Sequence, residues 1–181
     1  LLGGANELLW VGTYGGPRQI FNKQMNSSNE DATAQWIDSY EVVNIANNVL
    51  SALAVVDEAD RERVEGEALF LRSLMFFDLV RFYAQQYQAG SASTQLGIPL
   101  VLTPTRGISE ESFVSRNSVE EVYNQVIADL ISAGSKLPEE NEVYATSGAA
   151  TALLARVYLQ KGDYAKARDA ANSVIGSGLY E

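Results

Sequence analysis

Adjacent carboxylates stand at Glu110-Glu111 and at Glu139-Glu140, and paired acids are what cleavage of a glycosidic bond would use. Such a reaction needs two acids facing each other across the substrate at about 5–10 Å, which neighbours in one loop do not do, so both pairs read as solvated loop residues. The acidic run "DEAD", Asp57 to Asp60, lacks the alternating ligands and the glycine of a calcium loop and reads as a helix cap. The first 30 residues carry a different kind of chemistry. Trp10, Tyr14 and Phe21 are interspersed there with Arg18, Asn22 and Asn26 in a stretch rich in Gly, Asn and Ser. Either these rings pin a loop to the core or some of them form a binding platform. Tyr87 and Tyr144 are lesser candidates, with interface or core packing as their ordinary role.

The 181 residues include no histidine and no cysteine. That excludes thiolate and imidazole metal sites, and with them Ser-His-Asp and Cys-His catalysis. No disulfide can report on redox compartment. With a net charge of -10, most of the surface repels nucleic acid and anionic membranes. No stretch approaches the roughly 20 apolar residues of a membrane span. The opening "LLGGANELLWVGTYGG" has no basic region followed by an apolar run, so the chain is expected to be cytosolic or to begin downstream of a removed leader. Apolar residues make up 46% of the chain, enough for one helical core or two closely joined subdomains.

The elements that would position these residues are helical. Trp36, Tyr40, Val43, Ala46/Asn47 and Leu50 recur at three- and four-residue steps and predict a helix over 32–56, capped by Asp31. Asn44, Asn47 and Asn48 are weak helix formers, and an inward amide there is expected to bond to neighbouring backbone. A second helix is predicted over 60–86. It has one stripe of Ala68, Leu71, Met75, Leu79 and Phe82 and another of Leu69, Phe76, Val80 and Tyr83. Arg72 and Arg81 interrupt these stripes; their stems are expected along the core and their heads at carboxylates or helix ends. Residues 90–97 read as a flexible polar loop, and two prolines in 98–105 predict an extended segment across the helices. Ser118 with Glu121 forms a capping box that starts a third helix, with a stripe running from Val119 to Ile131. Two more helices, over 148–160 and up to 175, meet at Gly162-Asp163. Tyr164, Ala167, Ala170/Ala171 and Val174/Ile175 are expected to face inward from the last of them. "ALFLR" (Ala68 to Arg72) is weakly echoed by "ALLAR" (Ala152 to Arg156), as a helical-repeat fold would have it.

Within this order, "YLQKGDYAKARDAANSVI" resembles the second half of a tetratricopeptide unit. The wider order resembles the N-terminal part of the SusD/RagB family of Bacteroidetes surface lipoproteins. The segments that carry the likeness are "WIDSYEVVNIANNVL", "EGEALFLRSLMFFDLVRFYA", "GIPLVLTPT", "RNSVEEVYNQVIADLISAGSKLP", "ATSGAATALLARVYLQKGDYAKARDAANSVI" and a closing "GLY". The resemblance implies an all-α fold of tetratricopeptide-like hairpins packed as an α-α superhelix, with long loops and a short extended segment. It also implies one N-terminal helical domain over residues 1–181, with 1–30 mostly loop and the family's C-terminal region absent.

By the same resemblance the function is non-catalytic. A glycan or other nutrient is bound at the cell surface and delivered to a SusC-like TonB-dependent outer-membrane transporter, with no cofactor and no metal. Membrane attachment would come only through a lipid anchor that this chain lacks, so the chain is expected to be a trimmed portion of a longer protein. In the family, part of the sugar surface comes from the region before and around the first helices. Here that region holds Trp10, Tyr14, Arg18, Asn22 and Asn26, which are the expected ligand-binding residues. Sugars pack axial C–H groups on rings and offer hydroxyls to amides and charged groups, which suits this set. The runner-up, a tetratricopeptide-type protein-binding adaptor, meets helices longer than that repeat and no 34-residue period.

Overall fold

In four of the six helices among the described residues a short polar side chain answers an unpaired N–H group of the first turn. In the computed structural model, which describes residues 11–180, these helices are α1 (Gly15–Phe21), α2 (Glu30–Ser51), α3 (Glu58–Tyr83), α4 (Val119–Lys136), α5 (Ser147–Lys161) and α6 (Tyr164–Gly176). Single 3₁₀ turns lie at Leu53–Val55 and Glu110–Ser112. The described residues contain no strand, only an isolated antiparallel bridge between Leu96 and Ser118. No helix among them is long and apolar enough to cross a membrane. The chain is all-α, as expected, and divides into two units, residues 1–40 and 41–181, with the boundary inside α2.

In the second unit α3, α4, α5 and α6 each pack on the next. The capping box is present: Glu121 N–H donates to Ser118 Oγ (3.2 Å) and Ser118 N–H to Glu121 Oε2 (2.7 Å). These bonds to Ser118, backbone first, hold the Glu121 carboxyl below its ordinary range. The hairpin of α5 and α6 turns at Gly162, whose φ of +81° is the left-handed C-cap that glycine adopts without strain. Asp163 then accepts from Lys166 N–H and caps α6.

The core is Phe76, Phe77, Leu79 and Val80 of α3 with Val119, Val122, Tyr123, Val126 and Leu130 of α4 and Ala150, Leu153 and Val157 of α5. Burial pushes the Tyr123 phenol up to about 12. The predicted first stripe of α3 is covered only in part, since Leu71 and Phe82 are exposed. Tyr164 and Ile175 of α6 are also exposed rather than inward, and lie on an apolar groove of about 590 Å³ with Leu159 and Val174.

The residues from Ser91 to Gly97 are ordered, not a flexible loop. Ala92 and Gln95 are buried, and their carbonyls accept from Glu120 N–H and Val119 N–H (3.0 and 2.9 Å), two donors the first turn of α4 leaves open. The segment 98–105 is non-helical, as two prolines require. Asparagines hold it. Asn44 exchanges two bonds with the Thr105 backbone, Asn47 Nδ2 donates to Val101 O (2.8 Å) and Thr103 O (3.3 Å), and Asn117 Oδ1 accepts from Leu100 N–H. Asn48, the third of the group, donates to Asn44 O within α2.

Arg72 meets its expectation in full. Its Nε and Nη2 donate to the two oxygens of Asp129 on α4, both at 2.8 Å, and its Nη1 donates to Asn47 Oδ1 (3.0 Å). The two side chains are 8% and 5% exposed. Arg81 pairs with Asp78 and lies over the Phe77 ring. Asp57 occupies the α3 N-cap position without a side-chain cap bond, so the expected capping role of "DEAD" reduces to acids in and before the first turn, where the helix dipole favours them.

Removing one partner of a buried ion pair strands the other charge. Arg72→Ala or Asp129→Ala alone should therefore cost about 3–5 kcal/mol, and the paired replacement Arg72→Met with Asp129→Leu markedly less than their sum. Urea unfolding followed by circular dichroism checks this; single losses below about 1 kcal/mol would contradict it.

Candidate functional site

The first unit contains a helix that the sequence pattern did not reveal. α1 spans only seven residues, fewer than two periods of 3.6, and opens "GGPRQIF", with Pro17 in the first turn where no N–H is required. Its C-terminus is closed by Lys23 N–H to Ile20 O (3.1 Å) and Gln24 N–H to Gln19 O (2.9 Å), the paired bonds of a Schellman end. Lys23 takes the left-handed conformation (φ 56°) that glycine usually fills, so the stop carried no glycine signal.

Asn29, not Asp31, starts α2. It is buried, its Oδ1 accepts from Ala32 N–H (3.0 Å), and its Nδ2 donates to Gly16 O (3.1 Å) and Gln19 Oε1 (2.9 Å). One amide thus caps α2 and binds α1 to it. Asp31 falls in the first turn beside Glu30, where the helix dipole favours carboxylates. Its carboxylate lies so close over Gly16 that a Cβ there would collide with it.

These contacts border a cleft of about 550 Å³ lined by Tyr14, Gly15, Gly16, Pro17, Gln19, Ser28, Asn29, Glu30 and Asp31. Tyr14 is 76% exposed and supplies the ring; Gln19, Ser28, Glu30 and Asp31 supply amide, hydroxyl and carboxylate groups. A ring face beside amides and carboxylates can take the C–H face and hydroxyls of a sugar. Among the described residues no group of three or more carboxylates is arranged to hold a metal ion.

Of the five expected binding residues, Trp10 lies outside the described residues. Tyr14 lines the cleft. Arg18 is exposed and its Nη2 donates to Gly12 O (3.0 Å). Asn22 is the exposed C-cap of α1. Asn26 spends its Oδ1 on Ser28 N–H (2.9 Å) to close a turn. The structure therefore brings Tyr14 together with Gln19, Ser28, Asn29, Glu30 and Asp31, and leaves Arg18, Asn22 and Asn26 off the cleft lining. Gln19 and Asn29 carry no signal in the sequence because only α1 brings one toward the other; Asp31 is expected only as a helix cap, and nothing in the spacing singles out Glu30. Of the lesser candidates, Tyr87 packs on Tyr123 (centroids 5.0 Å apart) and Tyr144 is exposed.

Residues 15–159 match the SusD-like_3 family, described as starch-binding and associating with the outer membrane. The chain belongs to the SusD-like family. A SusD-like protein P2 of Formosa agariphila is 29% identical over 170 residues, 92% of this chain and 31% of that protein. A SusD superfamily structure from Bacteroides vulgatus superposes with a TM-score of 0.80 at 28% identity, covering 93% of this chain and 39% of its own. A laminarin-binding SusD-like protein superposes with a TM-score of 0.74 at 27% identity, covering 89% of this chain and 33% of its own. This SusD-like chain thus spans about a third of the length of the curated relatives it matches.

If Asn29 is both cap and strut, the two roles separate by substitution. Asn29→Asp keeps an acceptor for Ala32 N–H and should preserve slow amide exchange there, whereas Asn29→Ala should lose it, at about 1 kcal/mol of helix-start stability. Equal protection at Ala32 in both variants would contradict the assignment.

Proposed function

We propose that this chain is the helical framework and part of the ligand face of a non-catalytic surface protein that captures a glycan at the outer membrane. The single observation that carries the reading is the SusD-like match across residues 15–159, in a family described as starch-binding, with a structural relative described as laminarin-binding. The chemistry of the first unit supports the same ligand class: an exposed Tyr14 ring beside the Gln19 amide and the carboxylates of Glu30 and Asp31, on a wall that the buried Asn29 holds in place. Sugar binding draws on such planar hydrogen-bonding groups around an aromatic face. Trp10, Arg18, Asn22 and Asn26, the other residues expected at the ligand, belong to the same proposal. In the full-length protein the glycan is handed to a SusC-like TonB-dependent transporter, and the protein is held at the cell surface by a lipid anchor. Neither step needs a cofactor or a metal.

The test is isothermal titration of the full-length protein against a glycan panel that includes starch, laminarin and xyloglucan oligosaccharides, repeated with Trp10→Ala and Tyr14→Ala. Loss of a stacking ring should weaken the best ligand about tenfold, equivalent to roughly 1.4 kcal/mol. Unchanged affinity in both variants would remove this site. Absence of binding to every glycan, or turnover of one, would remove the function.

A further inference from the structure

A second polar cleft lies in the other unit. It has a volume of about 630 Å³ and sits between the C-terminal end of α3 and the ordered turns that follow. Its lining includes the amides of Gln85, Gln88 and Gln95, the hydroxyls of Ser91 and Thr94, and Arg116, with no aspartate or glutamate, although the whole chain carries a net charge of -10.

Gln95 is the informative residue. It is 8% exposed, and its Nε2 donates to Gln85 Oε1 (3.2 Å) and Gln86 O (3.1 Å). Its Oε1 is buried with no hydrogen-bond partner. Buried acceptors in folded proteins are nearly always paired, so an orphan in a cleft wall marks a place where something else supplies the donor. The neighbouring groups are only half used. Thr94 Oγ1 donates to Ser91 O (2.9 Å) and Ser91 Oγ to Gln88 Oε1 (3.2 Å), which leaves both hydroxyl oxygens as acceptors. Arg116 is held by three carbonyls, of Gly97, Tyr83 and Leu96, and makes no salt bridge among the described residues. The cleft wall is also fixed in advance, because the carbonyls of Ala92 and Gln95 are tied to the first turn of α4.

We propose that this cleft is a second carbohydrate subsite, taking one pyranose unit whose hydroxyls donate to Gln95 and Thr94 and accept from the Gln88 amide. The proposal rests on the glycan reading given above. Arg116 and the acid-free lining admit a uronic acid unit as well as a neutral one, since a carboxylate meets a cation there and no like charge.

Residue-resolved NMR on the isotope-labelled chain tests it, with laminaritriose as the neutral probe and trigalacturonate as the acidic one. Saturable shifts of the Gln85, Gln88 and Gln95 side-chain amides with either probe are expected, weakened about tenfold or more in the rim double variant Gln88→Ala with Thr94→Val, whose spectrum reports that it stays folded. A larger response to trigalacturonate assigns Arg116 to the carboxylate. Shifts confined to Gln19 and Asn29 would overturn the second subsite and leave the Tyr14 cleft standing. Shifts at neither cleft would overturn both, and shifts that persist unchanged in the double variant would overturn the assignment to this cleft.

Discussion

The guanidinium of Arg72 is the point on which the second unit turns. It is taken out of water on α3 and given two oxygens of Asp129 on α4 and the amide oxygen of Asn47 on α2. Asp129 in turn accepts from Gln125, and Asn47 passes its own N–H groups to the carbonyls of Val101 and Thr103. Moving two charges into the core costs several kcal/mol of desolvation, and the planar fork of arginine on a carboxylate recovers it only when both bonds form together. Such a pair adds little net stability. What it supplies is registry, because the rotation and height of α3 against α4 that satisfy it are few. Apolar neighbours such as Phe76, Val122 and Val126 would tolerate small slips that the ion pair does not.

The asparagines extend the same logic. Asn44, Asn47 and Asn117 hold an extended segment that has no sheet to join, and in the first unit Asn29 ties a seven-residue helix to the start of a longer one. An amide offers a donor and an acceptor on one rigid plane, so it can stand in for a strand partner or a helix cap without burying charge. Backbone that would otherwise be loose is thus fixed before any ligand arrives. For a binding protein this matters, because a preordered surface spends less of its interaction energy on ordering itself. Both polar clefts are bordered by such prearranged segments.

Much of this was legible along the chain. The capping box at Ser118, the turn at Gly162-Asp163 and the non-helical run after Gly97 are local signals, and local signals survive folding. The expectation that Arg72 would seek a carboxylate also held, but its partner lies 57 residues away and nothing in the spacing names Asp129. The misses have physical causes. α1 ends on a left-handed Lys23 and so carries no glycine stop. Leu71 and Phe82 fit a helical stripe yet are exposed. The turns of residues 91–97 look polar and loose in composition, but their carbonyls serve α4. In the candidate site, residue type pointed to Tyr14, whereas Gln19, Ser28 and Asn29 become neighbours only after α1 and the turn at Asn26 have formed.

On the glycan reading, a sugar stacks on the Tyr14 ring and bonds to the groups of Gln19, Glu30 or Asp31, while Asn29 holds the cleft wall in place. A crystal structure of the full-length protein with a bound oligosaccharide tests it most directly. A pyranose ring against Tyr14, hydroxyls on the groups of Gln19, Glu30 or Asp31, and an intact glycosidic bond are expected. A sugar seated only on residues outside both clefts, or a cleaved one, would contradict it.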